Sequence, residues 1–251
     1  MGTERRRRIA LYGGTFDPVH AGHAAVARSL LGLFALDEVL FVPAYVAPHK
    51  RDRRVSPALD RHAMLALATQ GEPRFRISAV ELEAPGRPYT VETLSGFRER
   101  LGGGARLFFV MGADSWEEIT TWREWERVLT LTDQLVVTRP GYELSTGHVT
   151  DEIRGRVVDV RGAARERVAR ELEDEGRGTR VYLTDAVNVD AAATNIRAVV
   201  RGGDWESLGA LVGRLRRRGG RLPLRGRLLG PRALLALPAL RLSVFACFRH
   251  R

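Results

Sequence analysis

The sequence predicts an α/β protein with an open, mainly parallel sheet and helices on both faces of that sheet. Two observations lead to this fold class. Short apolar runs of strand length alternate along the chain with longer segments in which apolar residues recur at helical spacing. Several of the apolar runs stop at glycine or proline, and a helix pattern begins soon afterwards. A chain of 251 residues is long enough to bury one sizeable core.

Six short segments are predicted to be strands, because each is an apolar run or is bounded by turn-forming residues. The first ends at Gly13-Gly14, the second stops at Pro43, and the fifth stops before Pro140. The predicted strands are 9–12, 39–42, 74–78, 107–111, 134–138 and 180–184.

Seven segments are predicted to be helices from the spacing of their apolar residues or from their start and stop signals. Ser56-Pro57 followed by Asp60 is a typical helix start, with proline at the first helical position. The glycines at 102–104 end another helix. The predicted helices are 23–33, 58–68, 90–101, 116–131 with a break, 161–175, 193–201 and 205–215.

The net charge of +10 is concentrated at the end of the chain. Residues 211–251 contain eleven arginines and no acidic residue, so the net charge of the rest of the chain is about −1. We therefore expect a main domain over 1–210 and a basic, poorly ordered tail over 211–251. Because the excess positive charge belongs to the tail, it does not by itself indicate that the core binds nucleic acid.

Cysteine content and hydropathy are compatible with a cytoplasmic protein, which is the default expectation. The single cysteine, Cys247, excludes an internal disulfide framework and a cysteine-based zinc cluster. No secretory signal is evident, since the apolar stretch after Arg5–Arg8 is short. The apolar run at 233–248 is interrupted by Pro238 and Arg241, so no membrane span is expected.

The segment Gly13-Gly14-Thr15-Phe16-Asp17-Pro18-Val19-His20-Ala21-Gly22-His23 joins the first strand to the first helix. The first amides of a helix have no internal partner and carry partial positive charge, so they attract anions. His20 and His23 are three residues apart and lie on one side of the first turn, where each ring can donate to a phosphate oxygen. The segment therefore predicts a phosphate-handling site. Taken alone, the two histidines are also compatible with helix capping or metal binding.

Further strings follow in order along the chain, most of them after a strand or at a helix start. They are Pro43-Ala44-Tyr45-Val46-Ala47-Pro48-His49-Lys50, Tyr89-Thr90-Val91-Glu92-Thr93-Leu94, Met111-Gly112-Ala113-Asp114-Ser115 with Thr121-Trp122, Val137-Thr138-Arg139-Pro140-Gly141, and Ala193-Thr194-Asn195-Ile196-Arg197. With the histidine segment, they resemble the bacterial nicotinate-nucleotide adenylyltransferases of the HxGH nucleotidylyltransferase superfamily. The resemblance covers about residues 9–205 and implies a Rossmann-like catalytic domain.

The resemblance implies roles for individual residues. Catalysis would fall to His20, His23, Lys50 and Arg197. ATP would be bound by Gly13, Gly14, Thr15, Phe16, His20, His23, Gly112, Asp114, Thr194 and Arg197. Nicotinate mononucleotide would be bound by Lys50, Thr90 and Trp122. Taken alone, Lys50 is also compatible with a solvated loop lysine, Trp122 with a core residue and Asp114 with a helix N-cap.

The reaction implied is adenylyl transfer from ATP to nicotinate mononucleotide, which yields deamido-NAD and pyrophosphate. Mg²⁺ would arrive with ATP, held by substrate oxygens and water rather than by protein ligands, and no organic cofactor is expected. No specific nucleic-acid partner is expected, and a homo-oligomer is compatible with the sequence. The alternatives are another acceptor, such as nicotinamide mononucleotide or phosphopantetheine, and a degenerate enzyme that binds nucleic acid through its basic tail.

One departure from the family pattern lies before Thr194. The family commonly has isoleucine and two small residues, including serine, where this chain has Ala191-Ala192-Ala193. One hydroxyl donor to a charged phosphate is therefore missing, which is worth about 1.5–3 kcal/mol. The departure predicts weakened activity rather than its loss.

Overall fold

The computed structural model describes residues 5–45, 55–84, 86–138, 143–173 and 178–185. Within these ranges a seven-stranded sheet has the order β3-β2-β1-β4-β5-β7-β6, and every neighbouring pair is parallel. The strands are β1 (Arg7–Gly14), β2 (Glu38–Pro43), β3 (Phe75–Ile77), β4 (Ala105–Gly112), β5 (Asp133–Val137), β6 (Val157–Asp159) and β7 (Val181–Thr184). The predicted α/β class with a mainly parallel sheet is confirmed.

Seven α-helices accompany the sheet in the described residues. They are α1 (Ala21–Leu33), α2 (Ala58–Ala68), α3 (Thr90–Leu101), α4 (Ala113–Glu117), α5 (Trp125–Leu131), α6 (Asp151–Arg154) and α7 (Arg165–Glu173). Short 3-10 turns cover Gly102–Gly104 and Ile119–Thr121. No described helix has the length and apolar character needed to cross a membrane.

Successive residues of the central strands belong to two separate hydrophobic clusters. Ala10 and Phe108 pack with residues of α1 and α7, whereas Ile9 and Phe109 pack with residues of α3 and α5. Side chains of a strand alternate between the faces of its sheet, so the two clusters lie on opposite faces. Helices therefore cover both faces, as the alternating sequence pattern predicts.

The sequence reading was incomplete between residues 113 and 173. The helix predicted over 116–131 begins earlier and is divided into α4, the turn Ile119–Thr121 and α5. The helix predicted over 161–175 begins at Arg165, because Asp159 accepts a hydrogen bond from Arg161 at 2.6 Å and Gly162 adopts a positive φ of 62°. α6 and β6 were not predicted. The helices predicted over 193–201 and 205–215, and the tail, lie outside the described residues.

Candidate active site

The crevice at the carboxyl ends of β1 and β4 is the candidate active site. β1 is the third strand of the sheet, and it pairs with β2 on one side and with β4 on the other. After β1 the sheet therefore grows toward one edge through β2 and β3, and β4 then adds on the other side of β1. In open α/β sheets, ligands bind at such a switch in strand order. The predicted phosphate segment follows β1, and Gly112 ends β4.

Aromatic rings lie directly against the backbone of Gly13 and Gly14. A Cβ atom at Gly13 would stand 3.0 Å from the Phe109 ring, and one at Gly14 would stand 3.0 Å from the Phe16 ring. Phe16 is 2 % exposed and adopts a positive φ of 49°, which is uncommon for a residue with a side chain. Close packing of these rings thus fixes the path of the segment that follows β1.

His20 and His23 lie side by side at the start of α1. His20 is the N-cap residue, and its backbone N–H donates to Nδ1 of His23 over 3.2 Å. The two ring centroids are 3.7 Å apart. The His23 ring is also held by the edge of Phe16, with centroids 5.0 Å apart. Because Nδ1 of His23 accepts this bond, its neutral ring carries the proton on Nε2.

The environment of His20 keeps its ring uncharged at neutral pH. Burial lowers the pKa of His20 to about 4. Within the described residues, Nδ1 of His20 is buried and has no hydrogen-bond partner. A buried polar atom without a partner costs free energy, which a ligand atom at this position would recover. The pair is therefore suited to donate to the oxygens of a phosphate group.

We expect the depressed pKa of His20 to make folding stability depend on pH. Between about pH 6.5 and pH 4 the unfolded chain binds a proton at this residue and the folded chain does not, so stability falls as the pH falls. Urea unfolding at pH 7.5 and pH 5 measures the loss for wild type and for His20→Asn. Wild type should lose on the order of 1 kcal/mol more than the variant, after allowance for the partly exposed ring. Equal losses in both proteins would contradict the assignment.

The end of β4 and the start of α4 form the second wall of the crevice. Gly112 is the N-cap residue of α4, so Asp114 is not the N-cap of this helix. Asp114 lies exposed in the first turn, where its Oδ1 accepts from the backbone N–H of Ser115 at 2.8 Å. Burial, and to a smaller extent the charge of Asp114, raise the pKa of Tyr12 on β1. The charge of Asp114 is therefore felt at Tyr12, which lies directly before Gly13 and Gly14 at the end of β1.

The two described residues predicted to contact the acceptor belong to one side of the sheet. Thr90 is the first residue of α3, and Trp122 follows the turn after α4. Their neighbours touch, since the guanidinium of Arg123 lies 4.7 Å from the ring centroid of Tyr89. Trp122 meets Phe109 edge-on, with centroids 6.3 Å apart. As Phe109 also lies against Gly13, one ring joins Trp122 to the segment after β1.

Three predicted site residues, Lys50, Thr194 and Arg197, lie outside the described residues, as do Ala191-Ala192-Ala193. The structure brings together Gly13, Gly14, Thr15, Phe16, His20, His23, Gly112 and Asp114 around the ends of β1 and β4, with Thr90 and Trp122 beside them. Among the described residues, no group of three or more histidine, cysteine, aspartate or glutamate side chains is arranged to hold a metal ion.

Arg61 is a buried residue of the site region that the sequence reading missed. It is 1 % exposed and donates to the carbonyl oxygen of Thr15 at 2.8 Å. Arg61 and Leu65 are the two buried residues of α2 and lie four positions apart on one face. The sequence signal that could have identified Arg61 is a charged residue on the apolar face of the predicted helix 58–68.

Comparison with known proteins agrees with this geometry. The family model described as cytidylyltransferase-like matches residues 11–199. A protein of Corynebacterium glutamicum named "Probable nicotinate-nucleotide adenylyltransferase" is 38% identical over 187 residues, which cover 73% of this chain and 85% of that protein. One of the same name from Salinispora tropica is 43% identical over 137 residues, covering 55% of this chain and 73% of that protein.

A solved structure shows the same fold. It is the nicotinic acid mononucleotide adenylyltransferase of Plasmodium falciparum complexed with NaAD, with a TM-score of 0.59 and 16% sequence identity, covering 83% of this chain and 92% of that chain. The crevice, the predicted phosphate-binding segment beside it and the matched model define a nucleotidyltransferase. The chain belongs to the cytidylyltransferase-like family and, within it, to the nicotinate-nucleotide adenylyltransferases.

Proposed function

We propose that this protein transfers the adenylyl group of ATP to nicotinate mononucleotide, forming deamido-NAD and pyrophosphate in NAD biosynthesis. The observation that carries the proposal is the histidine pair at the start of α1, beside the end of β4, in a chain of this family. The names of the relatives and the NaAD complex of the structural neighbour support the acceptor.

The reaction requires alignment and charge stabilisation more than proton transfer. An oxygen of the acceptor phosphate attacks the α-phosphorus of ATP, and the bond from that phosphorus to the bridging oxygen of pyrophosphate breaks. A phosphate monoester is already anionic near neutral pH, so no general base is needed, and no covalent enzyme intermediate is required. Mg²⁺ enters as part of the ATP substrate and neutralises the leaving pyrophosphate.

The described residues supply the positioning. The first amides of α1 and the rings of His20 and His23 bind the triphosphate, and their donors stabilise charge as it moves to the leaving group. Gly112 and Asp114 bound the nucleotide on the β4 side. Trp122 stacks on the pyridine ring and Thr90 binds the acceptor. Lys50, Thr194 and Arg197, outside the described residues, add donors to the phosphates.

The catalytic domain spans residues 1–210, followed by the basic tail 211–251. The protein is cytoplasmic, and ATP and nicotinate mononucleotide are its ligands.

Pyrophosphate release from ATP with a panel of acceptors tests the proposal. We expect nicotinate mononucleotide to give the highest kcat/KM, at least about tenfold above nicotinamide mononucleotide, because 1.4 kcal/mol of preferential binding to the carboxylate is enough for that ratio. Phosphopantetheine should give no release above background. A preference for nicotinamide mononucleotide would reassign the acceptor. If none of the three acceptors supports pyrophosphate release, the proposed function is contradicted.

A further inference from the structure

Arg61 joins three segments of the chain at the candidate active site. Its Nη1 donates to the carbonyl oxygens of Thr15 at 2.8 Å and of Ala44 at 2.7 Å, and its Nη2 donates to that of Tyr45 at 2.8 Å. Its Nε donates to the carbonyl oxygen of Ser56 at 3.0 Å. These carbonyls belong to the segment after β1, the segment after β2 and the residues before α2. The guanidinium therefore connects three separate segments of the crevice through hydrogen bonds.

The charge of Arg61 is balanced by two acidic side chains of the same region. Asp17 and Glu81 favour the charged guanidinium, although its burial lowers the pKa. Oδ2 of Asp17 accepts from the backbone N–H of Ser56 at 3.2 Å. Glu81 accepts from the hydroxyl of Thr93 at 2.8 Å and from the backbone N–H of Tyr45. A continuous network thus runs from Thr15 through Arg61 and Tyr45 to Thr93 on α3.

This network links the two halves of the crevice. Thr15 belongs to the phosphate-binding segment, whereas Thr93 lies in the first turn of the helix that begins at Thr90. We propose that Arg61 is a positioning residue that sets the spacing between the ATP side and the acceptor side of the crevice. This inference rests on the proposed function, since it takes the two sides to bind the two halves of one dinucleotide.

Lysine cannot replace arginine in this role. Arg61 uses four of its five N–H donors, directed from a rigid planar group to four carbonyl oxygens. A lysine ammonium has three donors around one nitrogen and cannot reach the same four oxygens together. Arg61→Lys therefore keeps the charge and much of the volume but releases part of the network.

The test compares ligands that occupy one side with a ligand that spans both. Titration calorimetry gives Kd for ATP alone, for nicotinate mononucleotide alone and for deamido-NAD. In Arg61→Lys, each mononucleotide should bind within about threefold of wild type, whereas deamido-NAD should bind at least about tenfold more weakly. A ligand that spans two sites gains affinity only if both can be engaged together, so altered spacing affects it selectively.

Arg106→Lys is the matched control, because Arg106 is also buried and hydrogen-bonded but lies away from the crevice. It is 7 % exposed and bonds to Asp133, the Leu172 carbonyl and Tyr182. This control should leave all three Kd values within about threefold of wild type. If Arg61→Lys weakens all three ligands by one factor, or changes none of them, the spacing role is wrong.

Thr93→Val is a second variant for the case in which Arg61→Lys does not fold. It removes the hydroxyl that donates to Glu81 and should have a smaller selective effect, in which the ratio of deamido-NAD affinity to mononucleotide affinity falls by about threefold. An unchanged ratio of dinucleotide to mononucleotide affinity would overturn the proposal. If wild type binds nicotinamide mononucleotide and NAD instead, the acceptor assignment is wrong but the spacing role is still open to test. The ratio of dinucleotide to mononucleotide affinity is then measured with NAD and nicotinamide mononucleotide.

Discussion

Replacing His23 with alanine should lower kcat by at least about tenfold, and replacing His20 should do the same. Each ring lies at the start of α1, where a donor to the triphosphate acts on charge that moves during the reaction. Each 1.4 kcal/mol of lost transition-state stabilisation is one factor of ten. Loss of His23 also removes the acceptor at Nδ1 for the His20 amide, so we expect the larger effect there.

Pyrophosphate release at saturating ATP and acceptor measures this effect. His62→Asn is a suitable control, since His62 is a partly exposed residue of α2 and is not part of the phosphate-binding segment. It should retain turnover within about twofold of wild type. Wild-type turnover in both His20→Ala and His23→Ala would show that the pair does not serve the reaction.

Replacing Trp122 with alanine should raise KM for nicotinate mononucleotide by at least about tenfold and leave KM for ATP within about threefold. Stacking of an aromatic side chain on a planar base is worth about 1–3 kcal/mol, and the pyridine ring offers the same kind of face. Trp122 is partly buried against Phe109, so the variant also loses stability. Trp122→Phe should recover most of the affinity.

Trp125→Ala is the matched control for Trp122→Ala. Trp125 packs partly buried on the same hydrophobic cluster, at the start of α5. Its loss should lower the midpoint of thermal unfolding without a selective change in KM for the acceptor. Steady-state kinetics at 25 °C, where both variants are folded, separates the two effects. An equal rise in both KM values for Trp122→Ala would argue for a purely structural role.

Local patterns identified the elements that carry their own signal. The helix predicted over 90–101 has the observed bounds Thr90–Leu101, because Glu92 in its first turn accepts from the N-cap amide and glycine follows its last turn. The strands around 9–12 and 107–111 were recognised because both are buried on two faces. The segment after β1 was recognised from its glycines and histidines.

Features that depend on distant partners were not predictable in this way. Val157–Asp159 is a strand because it pairs with β7, and its three residues have no distinctive pattern of their own. Arg61 is buried because carbonyl oxygens from three separate segments converge on it. A sequence pattern registers the charge of such an arginine but not the oxygens that surround it.

The hydrogen bond from the His20 amide to Nδ1 of His23 has a consequence for how the triphosphate is attracted. Burial lowers the pKa of His20 to about 4, so its ring is uncharged at neutral pH, and the His20 amide occupies Nδ1 of His23. In the proposed reaction the His20 ring therefore contributes as a dipole rather than as a cation, beside the permanent dipole of α1.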